Sequence, residues 1–206
     1  MSQMSLFSAG ARDPQVADLE GLLAGPGQVV RRRDPVSAGA GLGRLSVVVP
    51  QGWRVQALCA EMALLGLTAE LEPAEPGSVT VRTPWMAALH DVADRWTRGA
   101  VKVPPAGWVL DGPRLRWWCL CAGTACLDPS APMYTLALGA SDEPAWGAVG
   151  AALAAAGIAG VLVGPRADGP AYRIVGRRRL ARLRELVGEP PPEVPPEGWP
   201  PTLGQP

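Results

Sequence analysis

The strongest constraint on how this 206-residue chain can fold is that its pattern is written twice. Residues 19–29, LEGLLAGPGQV, and 115–125, LRWWCLCAGTA, each begin with helix-spaced apolar positions and end in a turn of small residues. Short apolar runs follow, RLSVVV at 44–49 and YTLAL at 134–138, and both have strand character. A helix comes next in each copy. Val55, Leu58, Met62 and Leu65 line one face, and Trp146, Val149, Leu153 and Ala156 repeat the same steps. Both helices stop at glycines, Gly66 and Gly157, which take the left-handed conformation past a helix end without strain. Hairpin arms at 69–71 with 78–82, and at 160–163 with 171–175, carry the turn residues Glu75-Pro76-Gly77 and Ala167-Asp168-Gly169. In the closing helices, Met86, Leu89 and Val92 match Leu180, Leu183 and Leu186.

The duplication predicts an α+β protein built from two tandem αββαββα repeats, residues 13–99 and 113–188, paired as a pseudo-dimer within one monomeric chain. Asp13-Pro14 and Asp111-Gly112-Pro113 supply a capping carboxylate and a first-turn proline at the start of each copy. Residues 100–112 read as a Pro/Gly linker. Residues 189–206 hold eight prolines in 18 positions and predict a disordered, polyproline-like tail.

Residues 145–164 carry no charge and are long enough to suggest a membrane span. The matching stretch of the first copy contains Arg54, Glu61 and Glu70, so a duplicated amphipathic helix is the better reading and no membrane contact is expected. The first ten residues lack the basic-then-apolar order of an export signal. With four cysteines, that predicts reduced thiols and a cytoplasmic location. Nineteen basic residues balance nineteen acidic ones, which argues against attraction of the whole surface to nucleic acid or an anionic membrane. A single basic face remains open. Lys102 is the only lysine; the other positive charges are arginine.

The order of elements resembles the LAGLIDADG homing-endonuclease fold, and within it the N-terminal part of the WhiA sporulation-regulator family. The second copy carries the better motif. Residues 116–125, RWWCLCAGTA, are similar to the helix of that family that ends in a small-residue turn. Asp128-Pro129, Tyr134-Thr135-Leu136, Tyr172-Arg173-Ile174 and residues 183–188 also fit. The resemblance implies two motif helices crossing at a pseudo-two-fold axis. It also implies that DNA would lie on the saddle formed by the sheets. The nucleases place a metal-binding acid at the foot of each motif helix; the matching positions here are Pro26 and Ala122. Hence the expectation is no catalytic residue, no metal, no cofactor and no enzyme, but a DNA-associated regulatory or accessory protein. WhiA proteins continue into a helix-turn-helix domain, whereas this sequence ends in proline; the partners expected are double-stranded DNA and a protein supplying a helix-turn-helix or a regulatory role. The alternative is an interaction scaffold that has lost nucleic-acid binding.

The candidate DNA contacts are Arg31, Arg32 and Arg33, read as a loop between elements, and Arg44, Arg82 and Arg173 on strands. Residues 177–184 read as a solvated, arginine-rich helix face. Cys119-x-Cys121-x4-Cys126 departs from the spacing of a zinc knuckle, and His90 lies in the other copy, so the cysteines read as small core residues. Trp117 and Trp118 are assigned to the interface helix. Gly39-x-Gly41-x-Gly43 precedes a strand and reads as a flexible connection.

Overall fold

In a computed structural model of the protein, which describes residues 8–10, 12–34, 41–99, 101–126, 128, 130–164 and 169–203, the two copies build matching four-stranded antiparallel sheets. The first copy runs α1 (Glu20–Ala24), β1 (Gln28–Arg33), β2 (Gly41–Pro50), α2 (Trp53–Leu64), β3 (Glu70–Pro73), β4 (Ser78–Arg82) and α3 (Ala88–Trp96). A small hairpin, β5 (Thr97–Arg98) with β6 (Val101–Lys102), leads to the second copy. That copy runs α4 (Gly112–Ala122), β7 (Gly123–Cys126), β8 (Met133–Ala137), α5 (Glu143–Ala155), β9 (Val161–Val163), β10 (Ala171–Val175) and α6 (Arg177–Val187). Strand orders are β1-β2-β4-β3 and β7-β8-β10-β9, so the repeat in sequence is a repeat in topology.

Local chemistry accounts for the elements. Leu45, Val47 and Val49 of β2 are buried, while Arg44, Ser46 and Val48 alternate outward, as the two-residue period of a half-buried strand requires. Asp111 caps α4 by accepting from the Arg114 amide at 3.1 Å, and Pro113 sits in the first turn where its missing N–H costs nothing. α4 is buried around its whole circumference because it lies between the copies, with Leu115, Trp117, Trp118, Cys119 and Leu120 all in the core. α1 packs directly on it. Gly21 makes the approach feasible, since a Cβ there would collide with the Arg114 carbonyl oxygen.

The uncharged run at 145–164 is broken into two elements. α5 ends at Ala155, Gly157 turns the chain with φ +80°, and β9 starts at Val161. Among the described residues no helix is long and apolar enough to cross a membrane.

Three expectations need correction. Arg31, Arg32 and Arg33 belong to β1, paired with β2 from Gln28↔Ser46 to Arg33↔Gly41, and are not in a loop. Gly41 and Gly43 lie inside β2 and make no flexible connection. α3 crosses them so closely that a Cβ on Gly43 would meet the Leu89 carbonyl and one on Gly41 would meet His90. Residues 189–203, expected to be a disordered tail, fold back onto the second copy. Trp199 is 2% exposed and donates its indole N–H to the Gly188 carbonyl at 2.9 Å. Tyr134 donates its hydroxyl to the Gly198 carbonyl, and a short 3-10 turn forms at Pro196–Gly198. Prolines hold the chain extended before it docks, so ordering costs little entropy, and Val194 and Trp199 supply the apolar anchors. Gly39, Ala100, Pro129 and the 167–168 turn lie outside the described residues.

Candidate nucleic-acid interface

Directly paired residues of an antiparallel ladder share a face. In the first sheet, Arg44 is opposite Val30, Arg32 opposite Leu42, Arg82 opposite both Ser46 and Glu70, and Glu72 opposite Thr80. Arg32, Arg44, Arg82, Glu70 and Glu72 therefore all lie on the face turned away from the buried Leu45, Val47 and Val49. Arg31 and Arg33 are opposite Gly43 and Gly41 on the helix side, where Arg31 is ion-paired with Asp94 of α3. The second sheet carries one charge on its outer face. Arg173 is aligned with Thr135 and Val161, and it is exposed.

The first-sheet arginines are held in place. Arg44 bonds Glu70 at 2.6 Å, and Arg82 pairs with Glu72. The guanidinium carbons of Arg32 and Arg44 lie 4.3 and 4.8 Å from the centroid of the Trp85 ring. Glu70, Glu72 and Trp85 are not among the candidate contacts read from the sequence. Strand alternation in ELEP could have placed the two glutamates on one face, whereas the ring stacking depends on register.

Two further cations sit at the feet of the two motif helices. At the foot of α1 the Lys102 ammonium donates to the Gly25 and Gly27 carbonyls at 2.7 Å each and to the Asp142 carboxylate at 2.7 Å. The Gln28 side chain donates to the same carboxylate at 3.3 Å. Lys102 and Asp142 are 5% and 8% exposed at the side chain, and burial pulls the Lys102 pKa down against the opposing pull of Asp142. At the foot of α4 the cation is Arg54, which reaches across from α2. It donates to the Leu120 carbonyl at 2.8 Å and the Gly123 carbonyl at 2.6 Å, and burial lowers its pKa. Both cations take carbonyls at or just past a helix end, and both place positive charge at the negative end of the helix dipole. Pro26 and Ala122 stand beside these carbonyls and bring no acid.

Cys119 and Cys121 lie on α4, two residues apart, so their side chains leave the helix on different sides. Burial pushes both thiols up to about 12. Alkylation of the native protein at pH 8 should therefore label Cys59 and Cys126, which are partly exposed, and spare these two until unfolding. The sign for stability follows. Unfolded thiols ionise near 9.0 and the folded ones do not, so stability falls as pH rises from 9.0 through about 12. Each thiol contributes a slope of roughly 1.4 kcal/mol per pH unit in that window. Urea midpoints measured at pH 8 and pH 10 check it.

No protein-family model matches the chain, and no curated protein matches it. Solved structures do. The homing endonuclease I-WcaI bound to its DNA recognition sequence superposes with a TM-score of 0.54 at 10% identity, covering 91% of this chain and 83% of that one. The N-terminal LAGLIDADG domain of DUF199/WhiA gives a TM-score of 0.54 at 12% identity, covering 88% of each chain. This chain has the LAGLIDADG fold. In the nucleases that the sequence resembles, a divalent metal is held at the helix feet, and the residues here do not fit one. A hard dication needs several converging carboxylates or other oxygens. The foot of α1 has one carboxylate already neutralised by an ammonium, and the foot of α4 has carbonyls already taken by a guanidinium. Among the described residues no group of three or more His, Cys, Asp or Glu could hold a metal ion.

Proposed function

We propose that this LAGLIDADG-like protein associates with duplex DNA without cleaving it, in a regulatory or accessory role. The observation that carries the reading is the row of arginines on the outer sheet faces: Arg32, Arg44 and Arg82 on the first sheet and Arg173 on the second. Guanidinium groups on a rigid sheet are suited to phosphate oxygens, and strand spacing sets them at intervals along a duplex backbone. The solved relative I-WcaI, bound to its DNA, gives the same fold a DNA-binding precedent. Arg31 and Arg33, on the helix side of β1, are left to a supporting part. The cations at the helix feet support the absence of cleavage, because they take the places from which a metal would act.

A second reading, a protein-interaction scaffold, is favoured by one observation. Glu70 and Glu72 neutralise two of the arginines, and Val30, Val48, Val161 and Val175 are exposed on the same outer faces. One pair of variants separates the two readings. For a DNA-binding face, Glu70→Gln with Glu72→Gln should free Arg44 and Arg82 and tighten binding to a short duplex about 3- to 10-fold at low salt. Arg32→Ala with Arg173→Ala should weaken it by a similar factor. Fluorescence anisotropy reads both. Affinity that is indifferent to all four changes would reject the arginine face and favour the scaffold.

A further inference from the structure

The single lysine of the chain occupies a place built like a cation site. Three oxygens converge on its Nζ, each at 2.7 Å: the Gly25 carbonyl, the Gly27 carbonyl and one oxygen of Asp142. Their sources are independent. The two carbonyls come from the turn between α1 and β1 in the first copy, the carboxylate comes from the residue that precedes α5 in the second, and the ammonium arrives from the β5–β6 hairpin between them. Gln28 donates to the same carboxylate from the first strand, which fixes its orientation. We infer that Lys102 is a tethered cation filling a monovalent-cation site at the foot of the first motif helix, and that removing its side chain leaves a site for a free ammonium-type or potassium ion.

Charge and size both select a monovalent ion. The site holds one carboxylate, so one positive charge balances it and a dication would leave a buried excess. The oxygens stand at 2.7 Å, the length of an ammonium hydrogen bond and well beyond the roughly 2.0–2.1 Å that Mg²⁺ takes. Residue choice agrees. Apart from the single histidine, every other basic side chain in this protein is arginine, but a planar guanidinium spreads its donors along a fork and cannot aim three of them from one nitrogen at three converging oxygens. An ammonium can. The foot of α4, which offers carbonyls along an edge, is served by Arg54 instead. This inference concerns the pseudo-symmetric core and stands whether or not the protein binds DNA.

The test uses the full chain with Lys102→Ala in buffers that differ only in their cation. In tetramethylammonium chloride, whose ion is too bulky for the site, the thermal midpoint should fall by about 5–10 °C from wild type. Methylammonium or potassium at equal ionic strength should restore at least half of that loss, and Mg²⁺ should not. Wild type should be indifferent to the exchange, the Lys102→Ala/Asp142→Asn protein should show no recovery, and Lys102→Arg should remain destabilised. No selective recovery, equal recovery without Asp142, or a better response to Mg²⁺ would overturn the inference. If Lys102→Ala does not fold in tetramethylammonium, its refolding yield across the same cations gives the same comparison. Wild type offers an independent readout, because ¹⁵N-lysine labelling yields one side-chain signal. A protonated, slowly exchanging Nζ at pH 7.5 is expected; a neutral amine at that pH would contradict a cation role.

Discussion

Trp199→Ala should cost about 3–5 kcal/mol of folding stability, the range for truncating a fully buried tryptophan. The site meets every condition for the upper half of that range. Trp199 is 2% exposed, its indole donates to the Gly188 carbonyl at 2.9 Å, and the Arg116 guanidinium lies 5.2 Å from its ring centroid. Arg116 also donates to the Glu189 carbonyl at 2.5 Å and to Glu61 of α2 at 2.6 Å, so loss of the ring loosens a junction between the tail, α4 and the first copy. Domains of this size are stable by only about 5–15 kcal/mol in total. A deletion after Gly188 should be at least as damaging, since it also leaves the buried Tyr134 hydroxyl without the Gly198 carbonyl. Chemical denaturation of the two variants checks both statements. A solvated tail would give midpoints indistinguishable from wild type.

Gly21→Ala should cost about 3 kcal/mol or more, at or above the top of the usual range for overpacking. The colliding atom is the Arg114 carbonyl oxygen, which is backbone and cannot rotate away as a side chain would. Relief requires α1 and α4 to separate, and both helices are anchored at the same crossing. Glu20 of α1 is 2% exposed and accepts from Arg114 at 3.1 Å, from Trp108 at 3.0 Å and from Arg95 at 2.6 Å. Separation would pull that buried carboxylate from its donors as well. Gly77→Ala is the matched control. Gly77 has open space around its Cβ position, so its cost, set by a φ of +82°, should be about 1 kcal/mol. Equal losses at the two glycines would mean that the helices do not approach as described.

The duplicated frame was legible because its signals are strong and local. Alternation in RLSVVV, helical spacing from Val55 to Leu65, and the Asp111-Gly112-Pro113 cap all became the elements they suggested. What escaped depended on tertiary contact. QVVRRR has no alternation, because β1 pairs on one side only and keeps both faces largely exposed, so nothing in its pattern marks Arg31 as facing α3. Gly41 and Gly43 look like a loop until a helix is laid across them. Proline content suggested a disordered tail and could not reveal that Trp199 is buried against the second copy. At the helix feet the sequence showed the missing acids at Pro26 and Ala122, and it showed one lysine among arginines. Joining those two facts needed the distances from Lys102 to Gly25, Gly27 and Asp142.

The most direct measurement is anisotropy of a labelled duplex with the full chain, from 50 to 300 mM salt and with Mg²⁺ present, followed by electrophoresis of the same DNA. Engagement of phosphate by Arg32, Arg44, Arg82 and Arg173 predicts that log K falls against log salt with a slope of about −3 to −4, and that the DNA stays intact. Absence of binding at 50 mM salt, or cut DNA in Mg²⁺, would contradict the account.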